Sequence, residues 1–148
     1  MSILDEWIIL DTNVWIFGLR RFPDLPACAE LLEHLDRFRV VVPRQILQEI
    51  QANLSDEEVS SLFRLLSRFP ERVKINWERT KPDLIVRYRN LGCKLGDAVV
   101  AAHLEELGIK LLVSENRDFL EELSDLPFRR LNSAEALAEV RQSRSGSR

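Results

Sequence analysis

Cysteine is scarce in this chain: Cys28 and Cys93 are the only two among 148 residues. They lie far apart and match no metal-ligand spacing, which excludes a disulfide-stapled scaffold or a zinc ribbon. One disulfide is open in principle, but a reduced, cytosolic protein with small buried thiols is the simpler expectation. Long apolar runs are missing too, so no segment spans a bilayer as a helix. The N-terminus lacks the basic-then-apolar pattern of a secretory signal. Neither sign of charge dominates, since 21 Lys and Arg against 24 Asp and Glu leave a net charge of -3. That balance argues against a general polyanion binder, yet it permits a basic rim around an acidic centre.

What is present is ordinary for a soluble globular chain, with 45% apolar and 30% charged residues. The length suits one domain with a core that needs no staples. Residues 1–140 are expected to form it, and the Ser- and Arg-rich end at 141–148 reads as a flexible basic tail.

Apolar runs alternate with helical patterns along the chain. Strands are expected at 7–11, 39–43 ("RVVVP"), 72–76 ("RVKIN"), 109–114 ("IKLLVS") and 128–131 ("FRRL"). Between them, Cys28, Leu31, Leu32 and Leu35 recur at helical spacing after Pro26, and Pro43 closes a strand and opens a helix. "RQILQEIQANL" and "SDEEVSSLFRLLSRF" read as two helices, with a capping box from Ser55 to Glu58 between them. "DLIVRYRNLG" reads as a helix ended by Gly92, and "LGDAVVAAHLEELG" as a helix bounded by glycines. "RDFLEEL" and "SAEALAEVRQ" complete the helices. Strands separated by helices imply a three-layer α/β/α sandwich on a parallel sheet of four to five strands.

Sites in such sheets form beyond the carboxyl ends of the strands. Asp11-Thr12-Asn13 and Ser114-Glu115-Asn116 both fall at such ends. Glu49 flanks an apolar helix stripe, and Asp97 opens a helix of small apolar residues. Each has a simpler reading alone: Asp11 as a turn, Asp97 as a helix cap, Glu49 as a solvated flank, Asn116 and Asp118 as caps or turns. Simple strand–helix–strand reasoning sets the N-terminus of the Asp97 helix away from the strand ends. Spacing therefore does not bring Asp97 to Asp11.

"IILDTNVWI", "VPRQILQEI", "LGDAVVAAHLEELG" and "LLVSENRDF", in this order, resemble the PIN-domain ribonuclease family. The likeness is greatest to VapC-type toxins of toxin–antitoxin systems and runs from about Ile8 to the "LNSAEAL" segment. It implies a site of Asp11, Glu49, Asp97 and Asn116, the first three as ligands of Mg²⁺ or Mn²⁺. Many members carry Asp where this chain has Asn116, which leaves one or two cations open; Asp118 lies off the matched position and is a weaker substitute. Ser114, Thr12 and Asn13 match orienting polar neighbours. Converging carboxylates repel unless neutralised, and oxygen-only ligands suit a hard cation; His34 and His103 fall outside the pattern, against a zinc centre.

The implied activity is metal-dependent cleavage of RNA, with a small antitoxin and a second copy of the chain as partners. Arg20, Arg21, Arg44, Lys94 and Arg117 lie near the motifs and are candidates for holding phosphates, though each reads alone as a solvated charge. Trp15, Phe17 and Phe119 are assigned to core or dimer packing rather than to base stacking. Two alternatives stand beside the nuclease. One is a PIN-like domain that only binds RNA or protein, its activity weakened by Asn116. The other is a haloacid-dehalogenase-like phosphohydrolase with Asp11 as nucleophile, which wants an Asp where Asn13 stands.

Overall fold

The computed structural model describes residues 3–4, 6–117, 119–120 and 126–146. Asp118 and most of the expected helix "RDFLEEL" lie outside them. The elements run β1 (Trp7–Leu10), α1 (Thr12–Leu19), α2 (Pro26–Glu33), β2 (Arg39–Pro43), α3 (Arg44–Asn53), α4 (Asp56–Ser67) and β3 (Val73–Asn76). They continue with α5 (Pro82–Asn90), α6 (Leu95–Leu107), β4 (Leu111–Val113), β5 (Arg129–Leu131) and α7 (Ser133–Gly146).

The five strands form one sheet in the order β3-β2-β1-β4-β5, and every neighbouring pair is parallel. Successive side chains of a strand point to opposite faces. Ile8, Ile9 and Leu10 are nevertheless all fully buried, as are Leu112 and Val113. Both faces are therefore covered, the expected α/β/α arrangement. Each such aliphatic contributes about 1.5–3 kcal/mol by leaving water. The edge strand β3 is more exposed, with Ile75 on the surface.

Local chemistry sets the helix ends. Ser55 and Glu58 form the expected capping box: Glu58 N donates to Ser55 Oγ at 3.1 Å, and Ser55 N donates to Glu58 Oε1 at 3.0 Å. Gly108 closes α6 at φ +67°, a left-handed turn that costs glycine nothing. At Gly18 the reason is space: a Cβ would stand 2.6 Å from Leu32 Cδ1 and 2.9 Å from the Cys28 carbonyl, so the close approach of α1 to α2 at this point needs a glycine.

Several boundaries differ from expectation, and β3 and β5 each begin one residue late, at Val73 and Arg129. β1 stops at Leu10 because Asp11 is the N-cap of α1, with its side chain accepting from Thr12 N. β4 is only Leu111–Val113. Helix α7 runs past residue 140 to Gly146, so the first part of the expected tail is helical, and Arg141 pairs with Glu30 on α2. Both cysteines are buried thiols, and the open disulfide is not made.

Candidate active site

The strand order places the site. The chain builds β1, β2 and β3 in one direction and then returns to lay β4 on the other side of β1. The crevice beyond β1 and β4 is thus the switch point of the sheet, where parallel α/β folds bind ligands. Leu10 pairs with Val113, and Asp11 N donates to the Val113 carbonyl at 2.8 Å. The Asp11 and Ser114–Asn116 segments leave the sheet side by side.

Asp11 is 5% exposed and tightly held. Its Oδ1 accepts from Thr12 N at 2.9 Å and its Oδ2 from Ser114 Oγ at 2.8 Å. Ser114 Oγ in turn accepts from Asn116 N at 2.9 Å. Burial raises the Asp11 pKa, the Ser114 and Thr12 donors oppose that rise, and the nearby Asp97 carboxylate adds to it. Trp15, fully buried, donates Nε1 to the Leu10 carbonyl at 3.1 Å and fixes α1 against β1 just below the acid.

Asp97 reaches this cluster, contrary to the topological expectation. A crossover helix runs antiparallel to the strands, so its first turn lies at their carboxyl ends and its last turn near their starts. Leu107, at the end of α6, accordingly lines a hollow with Trp7, at the start of β1. Nor is Asp97 the helix cap: Lys94 occupies that position without a side-chain cap bond, and Asp97 lies three residues in. Its Oδ2 accepts from Asn116 Nδ2 at 3.0 Å.

Glu49 joins from α3 and is not a solvated flank. With Asp11, Asp97, Asn116, Thr12 and Asn13 it lines one open cleft of ≈ 760 Å³. Burial raises its pKa; Gln45, donating Nε2 to Glu49 Oε1 at 3.2 Å, opposes this, while Asp11 and Asp97 reinforce it. Three carboxylates thus share one cleft, each tied by a neutral donor: Ser114, Gln45 and Asn116. Among the described residues no three His, Cys, Asp or Glu side chains stand close enough together, as placed, to hold a metal ion.

The donor set still fits a hard divalent cation. It offers only oxygen, from carboxylates whose charge is poorly compensated by the protein. Thr12 Oγ1 is buried in the same cleft and acts on Glu49, opposing the rise of its pKa. Asp11, Glu49 and Asp97 are the cleft side chains that would hold such an ion, and Asn116 contributes no charge.

The remaining expected residues divide. Asn13 accepts from Glu115 N at 3.0 Å through Oδ1, so its side chain fastens the two strand-end segments together. Arg20 lines the cleft but is engaged elsewhere, donating Nε to Glu58 Oε2 at 2.8 Å and a terminal nitrogen to the Asn53 carbonyl at 3.0 Å. Arg21 faces Glu33, while Lys94 and Arg117 are exposed. Arg44 lies over the Trp77 ring at 4.8 Å, outside the acid cleft. Trp15 and Phe119 are core residues, but Phe17 lines the cleft, stacked on Phe22 at 5.0 Å.

Sequence reasoning missed Gln45, Ile16 and Asn53. Gln45 had a readable signal, since it precedes Glu49 by one helical turn. Glu115 turns away from the cleft and accepts from Ser133 N at 2.8 Å, which anchors the β4 end to α7.

A family model described as PIN domain matches residues 8–125. Among solved structures, the chain is similar to one of VapBC2 from Rickettsia felis bound to a DNA fragment from their promoter. That match has a TM-score of 0.59 and 18% identity, over 85% of this chain and 98% of that one. It is also similar to PAE2754 from Pyrobaculum aerophilum, with a TM-score of 0.55 and 15% identity, over 93% and 97% of the two chains. No curated protein matches.

Proposed function

The chain belongs to the PIN domain family, a family of nucleases, and from that premise we propose that it is a metal-dependent endoribonuclease. The observation that carries the reading is the convergence of Asp11, Glu49 and Asp97 in one cleft at the switch point of the sheet. Asp11, Glu49 and Asp97 would hold Mg²⁺ or Mn²⁺, which supplies Lewis-acid activation of water and neutralises charge on the phosphodiester. Ser114 fixes the direction of Asp11 through the bond to Oδ2, and Asn116 fixes Asp97. Glu49 has one oxygen occupied by Gln45, which leaves the other to face the ion or its bound water.

The proposed setting is that of a cytoplasmic toxin held in check by a small antitoxin, acting as a homodimer, with residues 1–140 as the nuclease domain. The fold likeness to VapBC2 favours this assignment. A second reading, a PIN-like binding domain without turnover, is favoured by the neutral Asn116 in the fourth position. The phosphohydrolase alternative loses ground because Asn13 is engaged with the Glu115 backbone.

The test is incubation of purified protein with single-stranded and structured RNAs in Mg²⁺ or Mn²⁺, beside Asp11→Asn and an EDTA control. Cleavage is expected only for the unaltered protein with metal. Cleavage that survives either control sinks the metal-nuclease reading, and metal-independent binding without cleavage of any RNA supports the second one.

A further inference from the structure

A second hollow, of ≈ 710 Å³, opens beside the acid cleft between the start of α3, residues 79–82, α5 and α6. Gln45 separates the two, for it lines this hollow while donating to Glu49 in the other. Its lining includes the apolar Ile85 and Val99, the buried His103, and the two arginines Arg44 and Arg79. Arg44 is braced there by its stacking on Trp77. Inside, Thr80 is 7% exposed, and its Oγ1 has no hydrogen-bond partner. A buried hydroxyl left unpaired costs free energy, so its retention facing a hollow points to a bond made with a ligand.

We propose that this hollow is a subsite for one nucleotide of the RNA strand that crosses the acid cleft, a reading that rests on the ribonuclease assignment above. Ile85 and Val99 suit a base face, Thr80 Oγ1 and the Gln48 amide suit its edge or the ribose, and the arginines suit the adjoining phosphate. The neighbouring cleft carries three carboxylates and repels phosphates beyond the one being cut, so affinity for the strand must come from a basic flank. No other flank of the cleft combines free space, two guanidiniums and an orphaned hydroxyl among the described residues.

The test is equilibrium binding of a labelled, unstructured ten-nucleotide RNA to the full chain in EDTA, read by fluorescence anisotropy so that turnover plays no part. Thr80→Val and Gln48→Ala are each expected to weaken binding about 3- to 10-fold, the worth of one neutral hydrogen bond. Arg79→Ala should weaken it comparably and lower the salt dependence by about one phosphate contact. RNA carrying 4-thiouridine should photocrosslink to a peptide spanning residues 77–85. Gln48 and Arg79 are exposed, so their variants keep the fold and isolate the binding effect.

Unchanged affinity in all three variants, or crosslinks only elsewhere, overturns the subsite even if the RNA is bound and cut. Failure of the unaltered protein to bind RNA in EDTA overturns the subsite, while the ribonuclease reading stands or falls on the cleavage assay with metal. Binding that drops in the variants, in a protein that cuts no RNA with any metal, supports the subsite and overturns only the nuclease reading.

Discussion

Replacing Asp11 by Asn should raise the stability of the metal-free protein while abolishing its activity. In the fold the Asp11 carboxylate is desolvated and faces two other acids, at a cost of several kcal/mol. The Ser114 and Thr12 donors return about 1.5–3 kcal/mol each, and the raised pKa shows that they fall short. Asn keeps the Thr12 bond, can donate to Ser114 Oγ, and carries no charge. A net gain of about 1 kcal/mol follows, roughly 3 °C in melting temperature for a domain of this size.

The pH dependence has a definite sign. A carboxyl whose folded pKa lies above its unfolded value gives stability that is complete below the unfolded value and lost as pH rises through the folded one. The advantage of the Asn variant should therefore grow from acid toward neutral pH. Adding Mg²⁺ at about ten times its dissociation constant should stabilise the unaltered protein by roughly 1.4 kcal/mol and reverse the order. Scanning calorimetry in EDTA and in Mg²⁺ measures both. An Asp11→Asn protein that melts several degrees lower in EDTA, or gains as much from Mg²⁺ as the unaltered one, refutes the reasoning.

Ser114→Ala removes the donor to Asp11 Oδ2 and leaves the Asn116 N–H without its acceptor, in a fully buried place. A loss of about 1–3 kcal/mol in urea unfolding, with a roughly 10- to 100-fold drop in cleavage, is expected; unchanged kinetics would show that Ser114 does not orient the acid. His103 is 2% exposed, and burial lowers its pKa from 6.5 to about 4. Its contribution is present above pH 6.5 and is lost as pH falls toward 4, because the unfolded chain takes up the proton first. With screening from the adjoining hollow the loss is about 2 kcal/mol, and His103→Leu should flatten that part of the stability–pH curve.

The parts of the molecule governed by local rules were legible in the sequence. The β-branched run of β2, the Ser55–Glu58 box and Pro43 at the start of α3 each act over a few residues, and each is where the pattern put it. Asp11 and Ser114 were legible through one topological rule, the switch point. Arg20 and Phe17 were not. The first depends on Glu58 reaching from α4 and the second on which side of α1 faces the cleft, and neither is written in spacing.

Asp97 marks the boundary between these cases. Its residue type and its place in α6 fitted a helix cap, and the cap reading placed it nowhere useful. The direction of α6 decides the matter: a helix that delivers the chain to the start of β4 must begin at the opposite end, where β1 and β4 release Asp11 and Asn116. Setting the acid three residues into the helix, with Lys94 at the cap, then places its carboxylate in the cleft. A capping acid satisfies backbone donors, whereas this one shares the cleft with Asp11 and Glu49 and accepts from the Asn116 side-chain amide. The repulsion among the three is a standing cost that the core of the sheet sustains, and it is the feature that a bound cation would relieve.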